Sequence, residues 1–486
     1  MSLKKQAARG GFWISLTTTG TSVIDFFVFA YLARILSLED FGLVAFCMIF
    51  IEFVNIAINS GVNQNIVQRK VWDPNYASST LVYVVSLAIL ASIGLILIGS
   101  PIAYYTYSHE AAYVLMSLAP ITILISLQVV FNGKLVREFK NKQMGVVRFI
   151  TSFVSAIIII TLAELDYGLW SLVIGRLFSA GFELLLMSYI ANFKPKLYFN
   201  KEDKKELREF CLPLLGSALL ASLNKKASIL FTGLVLGPAK FALLNAAKRG
   251  ETMINQITMT SINSMVVPSF SRVKEGANLG DLYIKLVVIT ATMVIPIFMG
   301  LAAIADPFVT VLFGDKFSES AEFMTISAFA MFTSIIGWFF PTLLVSQGKT
   351  GDAFKLNIIN IVTNLIIVAA TIWFGIKIML LSLVVGGFLI MPLRFKVVSK
   401  HVAINIKKLM LCLFPSYFSA LVMFAIVMSS KRFLSELIPY DILLLLSLIS
   451  IGFISYLAIN VIFFNRHTRS QIAEIKEMFG GKGTSK

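Results

Sequence analysis

The chain has 486 residues, 57% hydrophobic and only 14% charged, with a mean hydropathy of +0.83. Soluble domains carry about 25% charged residues, so a soluble enzyme is excluded. The 42 Lys and Arg against 26 Asp and Glu call for a membrane explanation rather than a nucleic-acid partner.

Fourteen apolar runs follow one another, at 11–36, 41–60, 78–105, 110–132, 143–164, 168–192, 210–237, 239–267, 281–305, 321–347, 352–374, 376–398, 407–429 and 440–464. Each is near the roughly 20 residues that cross a bilayer as a helix, which predicts an all-α membrane protein. The first run lacks a small-residue cleavage site and reads as a retained helix. With Lys4, Lys5 and Arg9 placed in the cytoplasm, alternate loops and the tail hold about 28 basic residues. The opposite loops hold about six, Arg34, Lys240, Lys316, Lys377, Lys431 and Arg432. That asymmetry follows the positive-inside rule and places both termini in the cytoplasm.

The most charged stretch, FKPKLYFNKEDKKELREF (193–210), separates the sixth run from the seventh. It reads as a cytoplasmic linker with a surface helix at about 201–209, Pro195 having stopped the preceding helix. A shift of 200 residues lays ILSLEDFGL (35–43) on VLGPAKFAL (235–243), matching Leu36 to Leu236, Phe41 to Phe241 and Leu43 to Leu243, then Asn55 to Asn255 and Asn63 to Asn263. SPI (100–102) resembles DPF (306–308) at a similar offset. The expectation is two pseudo-symmetric six-helix lobes of like orientation, 1–192 and 210–400, joined by the linker 193–209. An appended helix pair (401–464), decorated only with Ser, Tyr and Asn and expected to face lipid, and a cytoplasmic tail (465–486) complete the chain.

Cys47, Cys211 and Cys412 all fall in apolar runs, so neither a disulfide framework nor a metal site is expected. His109, His401 and His467 lie in loops or the tail, which leaves no histidine-based catalytic centre in the membrane. Deep in the runs sit Asp25, Glu52, Arg148, Arg176, Glu183, Lys225, Lys226, Lys248, Arg249 and Glu251. A lipid-exposed charge at a helix centre costs about 2.5–3.5 kcal/mol on insertion scales, so these groups must face a wet cavity or one another. Arg148 is near a helix end and can snorkel. Lys225, Lys226, Lys248 and Arg249 lie on a predicted helical hairpin with one nearby acid, Glu251, and form a candidate anion site for phosphate, pyrophosphate or a sugar acid. Asn55, Asn255 and Asn360 belong to polar stripes at helical spacing. Such stripes either line a cavity or hold helices together by amide hydrogen bonds. Asp25, Glu52 and Glu183 are candidates for ion coupling, Arg176 and Glu183 sharing one helix face. Glu39–Asp40, beyond the first run, either caps the second helix or is the acidic pair of a metal-dependent transferase.

Six segments in order carry a family likeness: LARILSLEDFG (32–42), KLVREFKNKQMG (134–145), YGLWSLV (167–173), KPKLYF (194–199), VVPSFSRV (266–273) and ADPFVTVLFGDKF (305–317). They resemble the polysaccharide-transport branch of the multidrug/oligosaccharidyl-lipid/polysaccharide exporter superfamily, in particular Wzx-type lipopolysaccharide and exopolysaccharide flippases. The resemblance implies rigid-body rocking of two lobes around a central cavity. It implies an undecaprenyl-pyrophosphate-linked oligosaccharide as cargo, a bacterial inner-membrane location, and no cofactor. Arg34 matches a recurrent arginine at the periplasmic end of the first helix and joins the candidate anion site, as does Arg176. The partners implied are the lipid-linked oligosaccharide, membrane lipids, and a polysaccharide polymerase with its chain-length regulator. Other readings are a multidrug or cation antiporter, a peptidoglycan-precursor flippase, and a polytopic glycosyltransferase or polymerase.

Overall fold

A chain crossing hydrocarbon must satisfy every backbone N–H and C=O within itself, and this one does so with helices. The computed structural model describes residues 3–271 and 279–465, with the side chains of 3–12, 14–15, 106, 257 and 259–271 left undescribed. Lys4, Lys5, Arg9, Asn263, most of VVPSFSRV, His467 and the predicted tail therefore lie outside the description.

The crossing helices are α1 (Leu3–Ile35), α2 (Leu38–Asn59), α3 (Pro74–Tyr105), α4 (His109–Arg137), α5 (Asn141–Glu164), α6 (Leu169–Ala191), α7 (201–236), α8 (238–271), α9 (Leu279–Ala303), α10 (Glu319–Ser346), α11 (Thr350–Phe374), α12 (Ile376–Val398), α13 (Ile406–Leu437) and α14 (Asp441–Phe463). Each matches one of the fourteen apolar runs. The surface helix expected at 201–209 is not separate, however. Its residues are the first turns of α7, because LREFCLPLL continues the helix with no breaker strong enough to stop it.

The chain's own chemistry sets the breaks. Ser37 caps α2, its Oγ accepting from Asp40 N at 3.1 Å. Glu39 and Asp40 sit in that first turn, where negative charge meets the positive end of the helix dipole. Asp73 caps α3 ahead of Pro74, its carboxylate accepting from Asn75 N at 2.8 Å. Gly237, at φ 87 and ψ 176, ends α7 in a conformation that only glycine adopts without strain, and Pro238 opens α8.

Packing divides the chain between Asn245 and Ala246. In the first unit α1 runs along α5, α5 along α6, and α4 fills the space between α3 and α6. Its core gathers Ile66, Leu81, Val130, Phe131, Val147 and Met187. The opening of α8 closes on α2: Phe46 meets Phe241 and stacks on Tyr107, and Tyr107 Oη donates to the Gly233 carbonyl. Exposed Tyr104, Tyr105, Tyr167 and Trp170 cluster at helix ends, as interfacial aromatics do.

In the second unit α9 is the central post. It is buried along most of its length against α10 and α13, around Tyr283, Val287, Ile295, Phe298, Phe340 and Leu413. The expected lipid-facing pair α13–α14 is tied to this post by the Ser and Tyr that read as mere decoration. Ser416 and Thr292 share a hydroxyl hydrogen bond of 2.7 Å, Tyr417 Oη donates to Phe332 O at 2.6 Å, and Tyr456 Oη donates to Thr292 O at 3.0 Å. Ion pairs hold α13 near both ends, Lys408 with Asp281 at 2.6 Å and Lys431 with Asp306 at 2.7 Å. The opposite face, with Phe414, Leu421, Leu443 and Phe453, is exposed to lipid.

One contact tests the first unit's packing. A Cβ on Gly42 would sit 2.0 Å from Pro238 O, a backbone atom that cannot rotate away. Gly42→Val is expected to cost at least the 1–3 kcal/mol typical of overpacking, about that order, read as a lower melting temperature and lower yield of monodisperse protein in detergent.

Candidate functional site

Several of the charges within the crossing helices are paired, two of the pairs between different helices. In the first unit Lys226 on α7 forms an ion pair with Glu52 on α2. Its neighbour Lys225 is exposed and makes no hydrogen bond or ion pair among the described residues. On the α1–α5–α6 side, Asp25 accepts from Ser152 Oγ at 3.2 Å, and Arg148 Nε donates to Glu183 Oε1 at 3.4 Å. Arg148 also borders a small recess with Thr17, Thr18 and Thr21. Arg176 and Glu183, seven apart on one face and open to pairing with neighbours, part ways: Glu183 pairs with Arg148, while Arg176 is exposed and makes no ion pair among the described residues. Arg34 is exposed in the last turn of α1.

The asparagines of α2 are spent on packing. Asn55 is 8% exposed and donates to the Ile51 carbonyl of its own helix at 3.0 Å. Asn59 donates to Ser126 Oγ on α4 at 3.1 Å. The Asn59 bond is the interhelical glue that polar residues supply in lipid, whereas the Asn55 amide is returned to its own helix.

In the second unit Lys248 Nζ reaches Glu251 Oε2 at 3.3 Å, one turn along α8. Glu251 is 9% exposed, and its Oε1 is buried without a hydrogen-bond partner. A turn further on, Asn255 Oδ1 is also buried and unpartnered, as is Asn360 Oδ1 on α11. Arg249 follows Lys248 on α8 in an intermediate environment. The four-cation candidate therefore has more compensation than its sequence neighbourhood suggested, since Glu52 comes from a helix some 170 positions away and Glu251 is already engaged. Lys225 and Lys226 belong to the first unit, Lys248 and Arg249 to the second.

Sequence reasoning passed over two features. Arg148, set aside as snorkelling, is the partner of Glu183, which lies 35 residues away on the next helix. A cavity of about 260 Å³ lies between α9, α10 and α13, lined by Asp306, Glu322, Thr325 and Lys431. It is rimmed by the Lys431–Asp306 pair and by Lys377 with Glu322 at 2.5 Å. Among the described residues no group of three or more His, Cys, Asp or Glu side chains could hold a metal ion. Chemically, the set offers fixed cations, amides and hydroxyls suited to binding anions and sugars.

These features define a polytopic membrane protein with charged groups stationed in its crossing helices, and known proteins share the architecture. The lipid II flippase MurJ in an inward closed conformation superposes with a TM-score of 0.78 at 16% identity, over 94% of this chain and 99% of that one. The succinoglycan biosynthesis transport protein ExoT of Rhizobium meliloti (strain 1021) is 26% identical over 318 residues, 65% of this chain and 64% of ExoT, just under two thirds of that protein's length. The lipopolysaccharide biosynthesis protein WzxC of Escherichia coli (strain K12) is 21% identical over 367 residues, 74% of this chain and 73% of WzxC. A family model described as polysaccharide biosynthesis protein matches residues 31–322, more than half of the chain, and the chain belongs to that family.

The Glu52–Lys226 pair yields a prediction that needs no knowledge of the cargo. Each single change, Glu52→Gln or Lys226→Gln, strands the other charge in the membrane. Thermal denaturation in detergent is expected to show both single variants less stable than the double variant; equal losses that add would mean the pair contributes no coupling.

Proposed function

We propose that the protein is a flippase-exporter of lipid-linked oligosaccharides, working in the inner membrane of a bacterium as a multi-pass transporter and not as an enzyme. The observation that carries the reading is the family match over residues 31–322 together with the relatives named for succinoglycan and lipopolysaccharide biosynthesis. The fold shared with a lipid II flippase supports it. The cargo is an undecaprenyl-pyrophosphate-linked repeat unit of a surface polysaccharide: O-antigen, capsule or exopolysaccharide. The physical problem is to carry a large polar head through hydrocarbon while the polyprenyl tail stays in lipid. Cations that hold the pyrophosphate and amides that hold sugar hydroxyls solve it.

In this reading two six-helix lobes of like orientation, 1–192 and 210–400, rock by alternating access about the linker 193–209, with both termini cytoplasmic. The helix breaks support the repeat: the Ser37 cap between α1 and α2 and the Gly237 break between α7 and α8 are related by the same 200-residue shift that aligned the sequence. Lys225, Lys226, Lys248, Arg249, Arg34 and Arg176 hold the anionic head group, and Asn255 and Asn360 present free carbonyl oxygens to sugar hydroxyls. Asn55 belongs to the same polar lining, and Asp25, Glu52 and Glu183 couple transport to an ion. A polysaccharide polymerase and its chain-length regulator act on the delivered units. The metal-dependent transferase reading loses its acidic pair, because Glu39 and Asp40 form the capped first turn of α2.

The deciding experiment is mass spectrometry of lipid-linked sugars in cells lacking the gene, with the polysaccharide pathway switched on. Complete undecaprenyl-linked repeat units, shielded from a periplasmic probe, are expected to accumulate. Truncated units alone would point to a missing synthetic step, and an unchanged lipid pool to a different cargo. Neutralising Lys225, Lys226, Lys248 or Arg249 singly is expected to lower surface polysaccharide several-fold at matched protein levels, more than the same change at Lys142. Normal polysaccharide from all four variants would remove them from the site.

A further inference from the structure

Arg394 stands apart from every charge described so far. It lies on α12, about 6 Å of helix rise from the Val398 end, and sequence counting assigns it to the basic loop that follows. Helical side chains lean toward the helix N-terminus, which carries this guanidinium inward rather than out to the nearer surface. It rests on α10: a Cβ on Gly337 would lie 3.1 Å from Arg394 Nη1. Its Nε is buried without a partner, and the side chain makes no hydrogen bond or ion pair among the described residues.

No carboxylate on the helices packed against α12 is available to it. Glu319 and Glu322 begin α10, roughly 22 Å or more of helix rise from Gly337, and Glu322 is held by Lys377. Asp352 on α11 is bound by His401 at 2.7 Å and Lys355 at 3.2 Å. On α12 itself there is none. The second unsatisfied group is Asn360. Ile367 of α11 packs onto Gly386 of α12, and in that antiparallel register Asn360 lies level with Leu393 and Arg394. Its Oδ1 is buried and unpartnered. At this level the second unit therefore holds a cationic fork that lacks an anion and an amide oxygen that lacks a donor.

We infer that Arg394 and Asn360 form a binding site for a phosphate ester bearing a neighbouring hydroxyl on a lipid. The guanidinium takes the phosphate oxygens in its planar fork, and the Asn360 carbonyl accepts from the hydroxyl. Two lipids carry this chemistry. One is the sugar pyrophosphate head of a polyprenyl carrier, in which case the site extends the function proposed above. The other is a glycerol-phosphate head of the surrounding bilayer.

The test uses the full-length purified protein in phosphatidylcholine nanodiscs, titrated separately with phosphatidylglycerol and with undecaprenyl-pyrophosphoryl hexose. Melting temperature and native mass spectrometry are the readouts. Without added lipid, R394Q is expected to melt at or above the wild-type temperature, because it removes an uncompensated charge. Added ligand is expected to raise the wild-type melting temperature by several degrees, with R394Q needing at least tenfold more of it and N360A an intermediate amount. The lipid whose binding is lost in R394Q identifies the source. The inference is overturned if R394Q binds both lipids as wild type does, or if neither lipid binds wild type. It is equally overturned if R394Q melts lower in phosphatidylcholine alone with unchanged lipid response, which marks Arg394 as a packing residue. Because the probes are pure lipids, this result stands apart from whether cells lacking the gene accumulate repeat units.

Discussion

Charge in hydrocarbon must be answered, and most of this molecule's internal organisation follows from how each charge is answered. A helix satisfies its own backbone, so fourteen apolar helices need little beyond van der Waals packing to coexist in lipid. Lys226, Arg148 and Lys248 do need something more, and each takes a carboxylate within its own unit. Two of those pairs bind one helix to another, Lys226–Glu52 across 174 positions, so the constraint that makes a charge expensive also makes it an organiser of helix placement. The groups left unanswered, Lys225, Arg176 and Arg394, are then the informative ones, because the protein bears their cost without an internal return.

Hydroxyls follow the same logic at smaller scale. Ser416, Tyr417 and Tyr456 look idle in an apolar segment, yet each finds an oxygen on α9 or α10. Hydrophobic burial gives helices in lipid little reason to associate, since lipid tails are as apolar as side chains. A few directional bonds and a close fit along α9 supply that reason.

The architecture was legible in the sequence because hydropathy reports directly on crossing length: all fourteen runs reappear as helices, with α1, α7 and α13 extending about eight or nine residues beyond theirs. What the sequence hid was continuity and partnership. The surface helix at 201–209 merges into α7, which runs on through Pro213 to Gly237 although the charge pattern changes at 210. The site was less readable for a related reason. A linear scan sees Lys225 and Lys226 beside no acid, whereas Glu52 arrives from α2 through the fold. Arg148 looked able to snorkel, and only packing shows that it turns to Glu183. Arg394 lies so near a helix end that a count of loop charges absorbs it, and its inward lean over Gly337 is a fact of side-chain direction that no composition carries.

The strapping of α13 to its unit bears on how the chain can be shortened. Two helices that follow the first twelve look like an accessory that could be trimmed. Here the cut would uncover the buried flank of α9, strip the Phe332 and Thr292 carbonyls of their tyrosine donors, and take Lys408 and Lys431 away from Asp281 and Asp306. The terminal pair is the outer wall of the second unit, built last by the chain and required by what was built before it.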